Sequence, residues 1–184
     1  MPITWDPAAA GVLLDLDETL VLSSAVANLR RQRRWADVYQ ALDSTYMPPG
    51  TGDFISAIGQ LGRLGVITMA PRPYAERVLA HHGLKLLVVV AYHDVANRKP
   101  HPDPILRGAQ QLGVAPAHCV YIGDAGTDLV AADAAGAIPI GISWDGTLLA
   151  DPRHVLAFAL CRDWAQVLSA TASALTTRLG GGRA

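Results

Sequence analysis

The chain is 184 residues long, 51% hydrophobic, and carries a formal net charge of -1. That length fits one domain, or one domain with a small insertion, with enough apolar content for a real core. The near-neutral charge excludes a global field that would recruit nucleic acid or an anionic membrane. The two cysteines, Cys119 and Cys161, have neither metal-ligand spacing nor a disulfide framework, and read as small buried apolar residues. The N-terminus lacks the basic and apolar regions of a signal peptide, and no apolar run approaches the ~20 residues of a membrane span. The expectation is a soluble cytoplasmic protein.

After a short lead-in, Gly11 to Leu16 is a continuous apolar run, which suits a parallel strand buried on both faces. It delivers Asp15 and Asp17 into a turn closed by Thr19. Such a pair repels itself unless a cation or shared proton relieves it. Asp15-Leu16-Asp17-Glu18-Thr19 is therefore a metal site, an acid/base pair or a capped helix start.

Ser23 to about Tyr46 reads as helical, without Pro or Gly, and carries Arg30, Arg31, Arg33 and Arg34. These arginines form either a solvated face or an anion-steering surface beside the Asp15 pocket. Met47-Pro48-Pro49-Gly50 is a breaker that returns the chain to the main body. Thr51 to about Arg63 reads as helix, Val66 to Ala70 as a second strand, and Tyr74 to His82 as helix with Gly83 as its cap. Leu86 to Ala91 is the most apolar run and reads as a central strand, followed by a polar loop over Asp94 to Lys99.

The spacing then predicts a helix over Pro102 to Leu112, a strand over Cys119 to Ile122, a helix over Leu129 to Ala135 and a strand over Ile138 to Ile142. Val155 to Phe158 reads as an edge strand, Trp164 to about Leu179 as a closing helix, and Gly180 to Ala184 as a frayed tail. Strand and helix alternate throughout. The fold class is therefore α/β, a doubly wound parallel sheet with helices on both faces. In such sheets ligands bind beyond the carboxyl ends of the strands.

The strand ends then carry the functional argument. The first ends in Asp15 and Asp17, the second near Thr68, the third leads to Arg98 and Lys99, and the fourth ends in Asp124 with Asp128 a turn later. Phosphoryl transfer with a metal fits that set. The candidate metal-ligating carboxylates are Asp15, Asp17, Asp124 and Asp128, oxygen donors of the kind Mg²⁺ prefers. Asp15 is the candidate nucleophile, and Asp17 the candidate general acid/base. Thr68 is placed to hydrogen-bond the phosphoryl oxygens, and Lys99 to neutralise charge on Asp15 and the phosphate. Thr19 and the backbone N–H of Met69 complete the candidate phosphate-binding groups.

These motifs resemble the haloacid dehalogenase superfamily of phosphohydrolases. Asp15-x-Asp17-x-Thr19 resembles its first motif, Thr68 its second, Lys99 in Arg98-Lys99-Pro100-His101-Pro102 its third, and Gly123-Asp124-x-x-x-Asp128 its fourth. The last two follow the phosphoglycolate-phosphatase-like branch. The resemblance covers about residues 11 to 170, and implies a Rossmann-like core, Mg²⁺, an aspartyl-phosphate intermediate and a small phosphate ester as substrate. Within the superfamily, Asp17 argues against a dehalogenase and the absence of lysine in residues 20–49 against a phosphonatase. A phosphomutase stays open, as does a non-enzymatic domain that binds a phospholigand, although every acidic position is present. Relatives with a full helical cap carry a much longer insertion between the first two motifs. Residues 1–19 and 50–184 are expected to form the core domain, with 20–49 a reduced cap of one helix or two short ones. The arginine cluster there leaves a nucleotide open as substrate. Trp144 and Asp145 lie near the expected crevice as candidate substrate contacts, and His101, beside Lys99, reads as a loop residue of the family pattern rather than a base.

Overall fold

The computed structural model describes residues 3, 5–86 and 88–180. Residues 181–184 of the glycine-rich tail, and Leu87 within the run Leu86 to Ala91, lie outside them. Strand β1 (Gly11–Asp15) is buried at every position. It pairs in parallel with β2 (Arg63–Ile67) on one side and β4 (Cys119–Gly123) on the other. With β3 (Val88–Val90), β5 (Ile138–Ile142) and β6 (Ala159–Cys161) the sheet runs β3-β2-β1-β4-β5-β6. Chain direction across the sheet reverses at β1, which opens a crevice at the carboxyl ends of β1 and β4.

The helices are α1 (Ala27–Arg31), α2 (Trp35–Gln40), α3 (Thr51–Ile58), α4 (Arg72–His81), α5 (Asp103–Leu112), α6 (Gly126–Ala134) and α7 (Trp164–Leu179). Neighbouring strand residues face opposite ways. Val12, Leu14, Val66, Val120 and Ile122 join a core with Phe54 of α3, Val78 of α4 and Val167 of α7. Leu13, Ile67 and Tyr121 join a second core with Ile105 of α5 and Ala131 of α6. Phe54 and Trp164 stack with centroids 4.0 Å apart, and the Trp164 indole donates to Thr51 Oγ1 at 2.9 Å. That pair ties α3 to α7.

Several expectations are corrected. The helix expected over Ser23 to Tyr46 is broken into α1 and α2. Arg33 adopts φ 56°, a left-handed conformation that ends one helix and redirects the chain into the next. Helix α3 stops at Ile58, and β2 starts at Arg63 because Arg63 to Gly65 pair with Gly11 to Leu13. Ladder pairing overrules the local glycine signal. The run expected to be central is instead the edge strand β3. Its apolarity is explained by α4 and α5 packed against it, with β2 as its one strand neighbour. The last strand is Ala159–Cys161, since Pro152–Leu156 forms a 3₁₀ turn capped by Asp151, which leaves Val155 75% exposed.

Residues 20–49 lie over the crevice without a core of their own. Val26, Val38 and Leu42 are buried in the same cluster as Val12 and Leu14 of β1. No described helix is long and apolar enough to cross a membrane. Leu13 is fully buried at the middle of the sheet. Leu13→Ala is expected to lower unfolding free energy by about 3–4 kcal/mol, read from urea denaturation followed by circular dichroism.

Candidate active site

Beyond β1 the chain does not continue straight. Glu18 takes φ 62°, a left-handed conformation that costs a non-glycine residue on the order of 1 kcal/mol. The turn is held by Glu18 N–H to Val21 O at 2.8 Å, and by Leu20 and Val21 N–H groups donating to Leu16 O at 3.0 and 2.9 Å. The Glu18 carboxylate accepts from the Ser23 N–H at 2.8 Å. This reversal places Asp15 and Asp17 in one crevice while their side chains meet different partners.

Asp15 meets Lys99. The Lys99 ammonium lies 2.6 Å from Asp15 Oδ1, 2.5 Å from Asp128 Oδ1 and 2.9 Å from the Tyr121 hydroxyl. All four residues are buried. Burial alone would lower the lysine pKa, but the Asp128 and Asp15 carboxylates overrule it and hold the ammonium well above its ordinary value. Asp128 also accepts from the Ala125 N–H at 3.0 Å, which anchors it at the start of α6. Gly123 makes this possible, because a Cβ there would stand 2.5 Å from the Asp128 carboxyl carbon.

Asp124 accepts from Thr19 Oγ1 at 2.9 Å. Carboxylate oxygens of Asp15, Asp124 and Asp128 lie within 4.8 Å of one another. Three carboxylates thus face a single ammonium. Burial, reinforced by Asp128 and Asp124 against the pull of Lys99, holds Asp15 well above the carboxylate range. Burial and Asp128 push Asp124 up to about 7. A cluster that resists its own charge and offers only hard oxygen donors fits a divalent cation such as Mg²⁺.

Asp17 turns its carboxylate away from that cluster. Its Oδ1 accepts from Ser23 Oγ at 2.7 Å, from the Tyr74 hydroxyl at 2.7 Å and from the Arg30 guanidinium. Oδ2 has no hydrogen-bond partner among the described residues. Arg30 also lies over the Tyr74 ring, 4.7 Å from its centroid. Asp17 is therefore clamped by two groups from residues 20–49, Ser23 and Arg30, and by Tyr74 of α4.

Thr68 stands at the end of β2, buried, with its hydroxyl oxygen accepting from Ala70 N–H at 3.0 Å and its own proton left to donate. Met69 beside it is 41% exposed. The Trp144 indole donates to Thr19 O at 3.3 Å and so touches the Asp15–Thr19 loop, whereas Asp145 caps its own turn through Thr147. His101 pairs with Asp103 at 3.0 Å on the surface. Tyr121, Tyr74 and Ser23 were not singled out by sequence for these contacts. Tyr121 pairs with Leu13 and so shares the sheet face that carries Asp15, a placement that emerges only once β1 and β4 are paired.

The sequence matches a known family. A family model for haloacid dehalogenase-like hydrolases matches residues 25–136, more than half of the chain. Phosphoglycolate phosphatase from Escherichia coli (strain K12) is 32% identical over 134 residues, which cover 70% of this chain and 52% of that protein. The chain belongs to the haloacid dehalogenase-like hydrolase family. It spans about half the length of the curated relatives it matches. Among solved structures, a predicted phosphoglycolate phosphatase from Haemophilus somnus 129PT superposes with TM-score 0.73 at 18% identity, covering 89% of this chain and 98% of that one. A family hydrolase from Deinococcus radiodurans R1, solved with bound phosphate and sodium, superposes with TM-score 0.70 at 24% identity, covering 92% and 97%. These two likenesses show the fold.

The raised Asp124 pKa has a stability consequence. The folded state holds the Asp124 proton up to about pH 7, whereas the unfolded chain releases it near 3.8. Its ionisation therefore opposes folding fully above pH 7, and less as pH falls towards 4. Asp124→Asn is expected to stabilise the metal-free protein at pH 8 by about 2 kcal/mol, scaled down for a half-buried group. The gain should shrink at pH 5. Thermal melts of both proteins in EDTA at the two pH values check it.

Proposed function

We propose that the chain is a Mg²⁺-dependent phosphatase that hydrolyses a small phosphate monoester through an aspartyl-phosphate on Asp15. The observation that carries this reading is the buried Asp15–Lys99–Asp128 set, with Asp124 beside it and Asp17 two residues along the turn. Family membership and the phosphoglycolate phosphatase relatives support it. In this reading residues 1–19 and 50–184 are the core and 20–49 the reduced cap.

Asp15, Asp124 and Asp128 would hold the cation, which when bound offsets their charge and that of the substrate phosphate. Lys99 keeps one oxygen of Asp15 fixed while the other faces phosphorus. The free Thr68 hydroxyl proton and the Met69 backbone N–H hold the phosphoryl oxygens. The Asp15 carboxylate forms a bond to phosphorus as the ester P–O bond breaks, and Asp17, protonated at Oδ2, gives its proton to the departing alkoxide. The Asp17 carboxylate then takes a proton from water as that water attacks phosphorus. Breaking the Asp15–phosphorus link frees inorganic phosphate and restores both carboxyl groups.

Clamping of Asp17 Oδ1 by Arg30, Tyr74 and Ser23 leaves Oδ2 as the proton carrier at a fixed place. Asp15→Asn is expected to lower phosphate release from para-nitrophenyl phosphate by at least about 10³-fold, since it removes the nucleophile. Asp17→Asn should lower it about 10²–10⁴-fold, the range for a positioned acid. Chelation should abolish turnover and Mg²⁺ restore it. Undiminished release by Asp15→Asn would overturn the reading.

A further inference from the structure

Two cavities flank the Asp15–Thr19 loop, with Glu18 lining both. One, of about 530 Å³, holds Asp124 and Trp144. The other, of about 610 Å³, holds Asp17. On the phosphatase reading, the departing oxygen must come within about 2.6–3.2 Å of the acid that protonates it. The alcohol half of the substrate therefore lies in the Asp17 cavity.

Its lining mixes cations with apolar and aromatic side chains: Arg30, Arg31 and Arg33 together with Trp35, Met69 and Tyr92. Met69 and Tyr92 are among the large apolar side chains most open to solvent, 41% and 37% exposed. Arg30 pairs with Asp17, and Arg34 with Asp37. Arg31 and Arg33 are exposed and have no carboxylate partner among the described residues; Arg31 reaches only Asn28 Oδ1 at 3.5 Å. Two unpaired guanidiniums in that lining suit a phosphate, which guanidinium groups bind in bidentate fashion. Trp35 and Met69 suit a flat ring, while the Tyr92 ring already carries the Arg98 guanidinium 4.2 Å from its centroid. A cavity of about 610 Å³ falls within the roughly 300–1,000 Å³ typical of sites for drug-sized molecules, far larger than a two-carbon alcohol needs.

We propose that the Asp17 cavity is a subsite for an alcohol bearing both a planar ring and a second phosphate, the chemical class of nucleoside bisphosphates, with Arg31 and Arg33 holding the second phosphate. The claim rests on the phosphatase reading and narrows its substrate.

The test compares adenosine 3′,5′-bisphosphate with 3′-AMP, 5′-AMP, 2-phosphoglycolate and para-nitrophenyl phosphate on the full chain with Mg²⁺. The bisphosphate is expected to have a kcat/KM at least about tenfold above either monophosphate and above 2-phosphoglycolate, one charge-assisted contact corresponding to a factor of that order. Arg31→Gln/Arg33→Gln should raise KM for the bisphosphate and bring its ratio to the monophosphates close to one. Both residues are exposed, so the fold should survive, and a circular dichroism spectrum checks it. Equal kcat/KM for bisphosphate and monophosphates, or a double variant that slows every ester alike, would overturn the subsite while leaving the phosphatase reading intact. No turnover on any ester, para-nitrophenyl phosphate included, would overturn that reading and the subsite with it.

Discussion

The structure depends on one buried cation. Lys99 reaches from the loop after β3 to bind Asp15 at the end of β1 and Asp128 at the start of α6, joining segments 84 and 29 residues away. A lysine this deeply buried is tolerable only because carboxylates surround it, and those carboxylates are tolerable in part because of the lysine. The balance is incomplete, since Asp124 adds a third carboxylate to the two that share the ammonium. That excess of negative charge separates this site from a structural ion pair. It stores an electrostatic tension that a bound cation would relieve.

Sheet topology makes the meeting possible. Asp15, Thr68 and Asp124 follow three adjacent strands, β1, β2 and β4, whose parallel pairing brings their carboxyl ends to one edge. Glycine at 123 then lets the Asp128 side chain lie against the backbone of β4. At the site, local strain enters at Glu18, where hydrogen bonds from the turn and from Ser23 offset the left-handed backbone.

Much of this was legible in the sequence. Alternation of apolar runs with helical periods is a local signal, so the parallel α/β class and the strands at Gly11 and Ile138 could be read directly. So could Asp15 and Asp124, at the ends of the strands that start at Gly11 and Cys119. What could not be read depended on distant partners. Whether Val88–Val90 sits at the centre or the edge is decided by which strands pair, and an apolar run covered by two helices looks the same in either place. Tyr74 and Tyr121 read only as members of a helix and a strand; both are buried, and a hydroxyl's partner lies across the fold rather than along the chain. Arg30 was visible only as one of a cluster. Its pairing with Asp17 joins α1 to the turn after β1, a contact across the fold.

The sharing of Val26, Val38 and Leu42 with the core beneath the sheet bears on how such a protein would work in time. A cover whose apolar residues belong to the main core swings open only by tearing that core, and close-packed interiors resist this. With those side chains in the shared core, the segment is expected to act as a fixed awning rather than a door. Substrate would enter and product leave past a standing rim, without waiting for a hinge. Discrimination among esters would then fall to the shape and charge of that rim, present in full before anything binds.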